Sequence, residues 1–113
     1  MIDYHTELVN TLKTILPTHY ELNIKGKSVP CISYMEMNNA VIAQSRTQGY
    51  SSIGYTIKVW ADKIETAQTY ARQIDNALRP LGWFRTSTGE LTDYQTGRVQ
   101  KIMNYEATAS EMF

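Results

Sequence analysis

The stretch SSIGYTIKVWADKIETAQTYARQIDNAL, residues 51–78, decides the fold class. In its first part, apolar and polar residues alternate, which is typical of a half-buried strand, and we predict one over Ser52–Ala61. One face of this strand carries Ile53, Tyr55, Ile57 and Val59. The other face carries Gly54, Thr56, Lys58 and Trp60.

The second part of the same stretch, together with the residues just after it, has apolar residues at helical spacing. They are Ile64, Ala67, Ala71, Ile74, Ala77, Leu78 and Leu81. They predict an amphipathic helix of about eighteen residues, whose alanines would let it lie close to a sheet. Asp62 and Glu65 have the spacing of a capping box at its start, and Pro80 and Gly82 supply its stop.

The residues before this stretch predict one helix and two strands. The helix runs from Asp3 to Leu16, because Asp3 can cap it and Pro17 excludes the α conformation at the residue before it. The strands are expected over His19–Ile24 and Val29–Met37, on either side of a turn at Lys25–Lys27.

Two further segments complete the chain. Residues 38–52, NNAVIAQSRTQGYSS, are polar at both ends and predict a long functional loop. Residues 83–108 predict a β-hairpin, with strands over Trp83–Leu91 and Arg98–Thr108 joined by a turn at Thr92–Gly97.

The element order is therefore α-β-β-(loop)-β-α-β-β. It predicts an α+β fold, with a mixed or antiparallel β-sheet and two helices packed on one face. Residues 1–113 are expected to form a single domain.

Composition excludes several classes of partner. Lysine plus arginine and aspartate plus glutamate each number 11, so the formal net charge is zero. A neutral domain with scattered basic residues has no field that would attract nucleic acid or an anionic membrane. No apolar run approaches the roughly 20 residues that a membrane span needs, and no secretory signal opens the chain.

Catalytic motifs are also missing from the sequence. His5 and His19 pair with no nucleophile, the acidic residues are dispersed, and there is no P-loop, dinucleotide fingerprint or H-E-x-x-H spacing. Cys31 is the only cysteine, which excludes an internal disulfide and a cysteine-based zinc cluster, and its neighbours indicate a buried strand residue. We expect no enzyme activity, no cofactor and no metal.

Aromatic residues are the more informative group, since the chain has eight tyrosines and two tryptophans. Tyr55, Trp60 and Tyr105 could complete the core or contact another chain, and the sequence leaves both alternatives open. Tyr50 and Tyr94 fall in predicted loops, where a monomer buries them less easily. From loop position and residue type, the candidate interface residues are Arg46, Gln48, Tyr50, Tyr94 and Phe113.

Several segments together carry a family resemblance. They are the opening MIDYHTELVNTLKTIL, the following VPCISYMEMNN, the strand and helix GYTIKVWADKIETAQTYARQIDNAL, and the closing KIMNYEA. In this order they resemble the tail terminator, or tail-completion, proteins of long-tailed bacteriophages. The resemblance covers nearly the whole chain, and the strand I-x-V-W-A-D leading into an alanine-rich helix is its most specific part.

The resemblance implies a structural virion protein that is assembled in the host cytoplasm. Such proteins form a homo-oligomeric ring, commonly a hexamer, on the head-proximal end of the tail tube. The implied partners are further copies of the chain, the tail tube protein and the head–tail connector, while DNA passes through the lumen without specific binding. Two alternatives remain open: another neck protein associated with the connector, and a small α+β ligand-binding regulatory domain.

Overall fold

The computed structural model of the chain describes residues 4–41 and 50–110, and within them the side chains of 5–37 and 53–107. Its helices and strands are α1 (Tyr4–Lys13), β1 (Thr18–Tyr20), β2 (Cys31–Val41), β3 (Tyr50–Ala61), α2 (Ile64–Leu78), β4 (Phe84–Thr92) and β5 (Val99–Ser110). Short 3-10 helices follow β1 at Glu21–Asn23 and α2 at Arg79–Leu81. The predicted α+β class and element order are confirmed.

The five strands form one mixed sheet in the order β1-β2-β3-β5-β4. The short β1 pairs with β2 in parallel, and the other neighbouring pairs are antiparallel. β3 is the central strand and pairs along its length with both β2 and β5. Long ribbons of this kind give the molecule an elongated shape of 52 × 24 × 24 Å.

Both helices cover the same face of the sheet. The predicted inner face of β3 is confirmed, because Tyr55, Ile57 and Val59 lie in the core, with Ile53 half-buried against it. Leu8 and Leu12 of α1 and the predicted stripe of α2 pack into the same core. Burial of apolar surface between these layers is the main force that holds them together.

Trp83, directly before β4, is the largest fully buried side chain. Its indole ring meets the Tyr55 ring edge to face, with centroids 5.6 Å apart. Tyr105 of β5 is buried in the same core, so the core alternative is confirmed for Tyr55 and Tyr105.

The predicted loop over 38–52 is wrong at both of its ends. Asn38–Val41 continue β2, and Tyr50–Ser52 begin β3, with Val41 paired to Ser51. Polar residues remain in these strands because backbone groups form the ladder whatever the side chains are. Residues 42–49 lie outside the described residues.

The predicted strand over His19–Ile24 is also wrong after Tyr20. The chain turns into a 3-10 helix at Glu21–Asn23, and Leu22, expected to alternate inward, is 79% exposed. This turn carries the chain over the sheet toward the Val29–Pro30 peptide bond, which is cis, and into β2.

The ends of the helices differ from the expected ones as well. α1 ends at Lys13, short of Leu16. α2 begins at Ile64 with Lys63 as N-cap and no side-chain cap bond, so the capping box of Asp62 and Glu65 does not form. The expected stop is confirmed, since Pro80 lies in the 3-10 helix and Gly82 ends it at a φ of 98°.

Two ends of the predicted stripe on α2 also need correction. Leu81 falls in the 3-10 helix and is exposed, while Ile64 and Ala77 are only half-buried. Leu81 leaves the stripe because the α-helix ends at Leu78 and the chain continues as a 3-10 helix.

Candidate interaction surface

The sheet face opposite the helices carries a polar network near the beginning of β2. Trp60 donates its indole N–H to the buried Ser33 hydroxyl at 2.8 Å, and this hydroxyl lies 3.4 Å from Glu21 Oε1. Lys58 Nζ pairs with Glu21 Oε2 at 3.1 Å. These contacts hold the 3-10 helix Glu21–Asn23 and the following turn against the sheet.

That turn and the sheet enclose a cavity of about 250 Å³. We call it the basic pocket, because four apolar side chains form its walls and three cationic ones its rim: Ile24, Val29, Cys31 and Trp60, with Lys25, Lys27 and Arg98. Among the residues that the structure describes, no acidic one lines it. Burial raises the pKa of the Cys31 thiol, and the charge of Arg98 opposes this only in part, which leaves a neutral apolar wall.

The connection between β4 and β5, residues 93–98, is the hairpin tip; it begins and ends one residue later than the predicted turn, because Thr92 still pairs with Val99. Asp93 and Arg98 extend the strand ladder through a 2.8 Å backbone bond, and the Gly97 N–H donates to the Asp93 carbonyl at 2.7 Å. Gly97 has a φ of 75°, a conformation that glycine adopts without strain. The tip is therefore a well-defined turn.

Asp93 organises the hairpin tip through its carboxylate. The Gln95 N–H donates to Asp93 Oδ1 at 2.9 Å. This bond, and a second from the Thr96 side chain, lower the pKa of the Asp93 carboxyl, so Asp93 is charged at neutral pH. Tyr94, between these residues, is 93% exposed and projects into solvent.

A second cleft, of about 370 Å³, lies between α2 and the β4–β5 hairpin. Three cations and one acid of the described part of the chain line it, namely Arg72, Arg85, Lys101 and Asp75. Asp75 accepts hydrogen bonds from Arg79 and from the buried Tyr105 hydroxyl. Lys101 Nζ lies 3.1 Å from Glu90 Oε1, and its hydrogen bond lowers the pKa of the Glu90 carboxyl. Apart from Ala71, polar and charged side chains line this cleft, so it offers an aromatic side chain less apolar wall than the basic pocket does.

Tyr105 gives this cleft a testable pH dependence. Burial, and then the Asp75 carboxylate, raise the pKa of Tyr105 well above its ordinary value near 10. The folded state thus holds this proton more tightly than the unfolded state. The resulting stability is complete below about pH 10 and is lost above it, at up to about 1.4 kcal/mol per pH unit.

Tyr105→Phe is therefore expected to change how stability depends on pH. Near pH 8 the variant should lose about 1 kcal/mol, because the hydrogen bond to Asp75 is removed. Between about pH 10 and 11 this deficit should shrink or reverse, since phenylalanine has no proton to lose. Urea unfolding at each pH measures the difference. Tyr94→Phe, at an exposed hydroxyl, is the control, and a deficit that stays constant through pH 11 contradicts the prediction.

The structure brings few of the predicted interface residues together. Tyr94 lies at the hairpin tip, in the loop position expected for it, and its role as an interface residue stays a prediction. Tyr50 is a strand residue paired with Ser110, so its placement in a loop is wrong, because β3 begins before Ser52. Arg46, Gln48 and Phe113 lie outside the described residues.

His5 and Trp60 have structural surroundings of their own. His5 is exposed, and its Nδ1 lies 2.8 Å from the Tyr55 hydroxyl. For Trp60 the sequence left open whether it completes the core or contacts another chain. In the structure it is half-buried on the helix-free face of the sheet, outside the core between sheet and helices, and forms a wall of the basic pocket.

Sequence reasoning missed the basic pocket. From the sequence, Lys25, Lys27 and Arg98 look like dispersed solvated charges, since Arg98 is far along the chain from the two lysines. The turn Lys25–Gly26–Lys27 next to the strand containing Cys31 was the available signal. It does not show that the turn folds back over Trp60.

Within the described parts of the chain, no three His, Cys, Asp or Glu residues are grouped so that they could hold a metal ion. None of the described helices is both long and apolar enough to cross a membrane.

Comparison with solved structures finds similar chains. The structure is similar to a chain of the virion of a native gene transfer agent particle, with a TM-score of 0.62. The similarity covers 91% of this chain and 84% of the other, at 13% sequence identity. The two chains share a fold. No protein-family model and no curated protein sequence matches the chain.

Proposed function

We propose that the protein is a structural component of a phage-like virion and forms a ring on the head-proximal end of a tail tube. In this function it ends polymerisation of the tube and presents a surface for the head–tail connector. The ring is a homo-oligomer of hexameric type, and DNA passes through its lumen without being held.

The observation that carries the proposal is the fold shared with a virion chain over nearly the full length of both proteins. Because the similarity covers most of both chains, it supports a shared architecture of the whole domain and not of a single motif. The order of sequence segments, which resembles tail terminator proteins, supports the same function independently of the coordinates.

The sheet edges support a protein that assembles with others. All nine residues of β4 are exposed, and among the described strands β4 has only β5 as a partner. Phe84 and Leu91 of this strand are each more than half exposed. On the opposite edge, β1 pairs with β2 only over Ile32–Tyr34. Open edges are sites where another chain can add, and monomeric proteins usually protect them.

A ring of this kind needs no catalytic group, and we propose that the protein is not an enzyme. It needs two different binding surfaces on each copy, since a head-to-tail contact closes into a ring only when distinct surfaces meet. The hairpin tip and the helix-free face, which carries the basic pocket, are such surfaces.

The experiment is an assembly assay with the tail tube protein of the same virion. Added during tube polymerisation, the protein is expected to shorten the tubes in proportion to its concentration. Negative-stain images should show a ring at one end of each tube. Unchanged tube lengths, with no added density at either end, would overturn the proposal.

The same assay separates the second candidate, another protein of the virion neck, which the shared fold supports equally. A neck protein should bind the purified head–tail connector and leave tube length unchanged. Binding to the connector without any effect on tubes would therefore favour the neck protein over the terminator.

A further inference from the structure

We propose that the hairpin tip of one copy, led by Tyr94, docks into the basic pocket of a second copy. The inference rests on the proposed function, since this contact would join neighbouring subunits of the ring. It identifies the two surfaces that meet and the chemistry that pairs them.

Tyr94 is the strongest anchor that the described surface offers. At 93% exposure it contributes almost nothing to the core, and the turn around it is held by backbone bonds and by Asp93. A rigid turn loses little conformational entropy when it binds, and tyrosine is enriched among residues that dominate interfaces.

The basic pocket suits this anchor in shape and in polarity. Its walls include the Trp60 ring and the Ile24 and Val29 side chains, which an aromatic ring can contact. Its volume of about 250 Å³ is large enough for one such ring. A tyrosine that enters could keep its hydroxyl near the rim, where water and polar groups remain.

Charge complementarity favours the same pairing. The pocket rim carries Lys25, Lys27 and Arg98, and no acid is among the described residues that line the pocket. The hairpin tip carries one acid, Asp93, whose lowered pKa keeps it anionic, and the neighbouring Arg98 of the same chain contributes to that lowering. Lys25 and Lys27 are therefore the rim cations that the Asp93 carboxylate of a second copy can pair with, which favours docking of the tip at this rim.

The positions of the two surfaces favour a contact between copies. Cys31 pairs with Trp60 at one end of the sheet, and the last pair of the hairpin, Thr92 with Val99, lies at that same end. The strand ladder carries the tip onward in the direction of β4 and β5, and Tyr94 stays in solvent, out of the pocket of its own chain. A neighbour placed beside β4 can receive it.

The contact is head-to-tail, because the tip and the pocket are different surfaces of the same chain. Such contacts either close into a ring or continue as a filament. A single docked tyrosine buries about 150–250 Å², far below the roughly 1,000 Å² of a stable interface. We therefore expect two copies to associate weakly. A closed ring should be more stable, because each subunit then makes two such contacts, one through its tip and one through its pocket.

The test uses two variants that each remove one surface. Tyr94→Ala removes the anchor and leaves the pocket intact. The double variant Lys25→Glu/Lys27→Glu reverses the rim and leaves the tip intact. All three residues are exposed, so both variants should fold, which circular dichroism checks. Leu22→Ala, an exposed apolar residue outside both surfaces, is the matched control.

Light scattering from micromolar to millimolar subunit concentration gives the readout. Wild type and Leu22→Ala should self-associate, while each of the two variants should associate at least about tenfold more weakly. An equimolar mixture of the two variants should form heterodimers and nothing larger. The intact tip of the Lys25→Glu/Lys27→Glu variant still fits the intact pocket of the Tyr94→Ala variant. No further subunit can add to this pair, because its remaining tip and its remaining pocket are both altered.

Three results would overturn the inference: a wild type that stays monomeric throughout, either variant associating as wild type does, or a mixture that forms no heterodimer. None of these would decide the proposed function, which is measured by tube length. Conversely, if the tip binds the pocket but the protein has no effect on tube length, the terminator function is wrong and the proposed contact between copies is still supported.

Discussion

Replacing Trp83 with alanine is expected to lower the free energy of unfolding by about 3–5 kcal/mol. Trp83 is 1% exposed and is the largest fully buried side chain. Its removal forfeits the transfer energy of the indole and leaves a cavity between the sheet and the helices. The edge-to-face contact with Tyr55 is lost as well, which adds to the cost.

The adjacent residue provides a matched control, because Phe84 is also aromatic but is 53% exposed. Phe84→Ala should cost less than about 1 kcal/mol, since little buried surface is removed. Urea unfolding followed by circular dichroism measures both variants. A domain of ordinary stability, about 5–15 kcal/mol, survives the loss, so the midpoint should fall with little change in slope. Equal losses at the two positions would contradict this account of the core.

The central strand and α2 could be predicted because burial leaves a periodic trace in the sequence. Tyr55, Ile57 and Val59 recur at every second residue, and Ala67, Ala71, Ile74 and Leu78 recur at helical spacing. Each set faces a single core, so local pattern and tertiary environment agree there.

The ends of β2 and β3 leave no such trace. Asn38, Asn39 and Ser52 have the composition of a loop, yet each is paired across the ladder. Backbone hydrogen bonds supply this pairing, and they depend on which strand lies alongside. A single sequence does not show that β3 has a partner on both sides.

The candidate surface was predictable only in part. Tyr94 follows from turn chemistry, because Thr92–Gly97 separates two extended runs and such turns are exposed. The basic pocket depends on Lys25, Trp60 and Arg98 meeting in space, although they are far apart in the chain. Only the parallel pairing of β1 with β2 brings the intervening turn over Trp60, and local pattern does not reveal it.

Replacing Ala67 with leucine is expected to destabilise the protein by about 1–3 kcal/mol, although the change adds apolar surface. Ala67 is 0% exposed and lies in the core between α2 and the sheet. The space that its methyl group fills has no room for three more carbons, so α2 must shift outward or the leucine must leave its preferred rotamers. Either response loosens the contacts of Ile74 and Leu78 with the sheet.

Helix propensity does not explain such a loss, because leucine and alanine are both good helix formers. The same substitution type on the outer face of the helix, Gln73→Leu, should therefore change stability by less than about 0.5 kcal/mol. Thermal and urea unfolding of the two variants separate packing from propensity. An Ala67→Leu variant as stable as wild type would mean that α2 lies farther from the sheet than its buried alanines require.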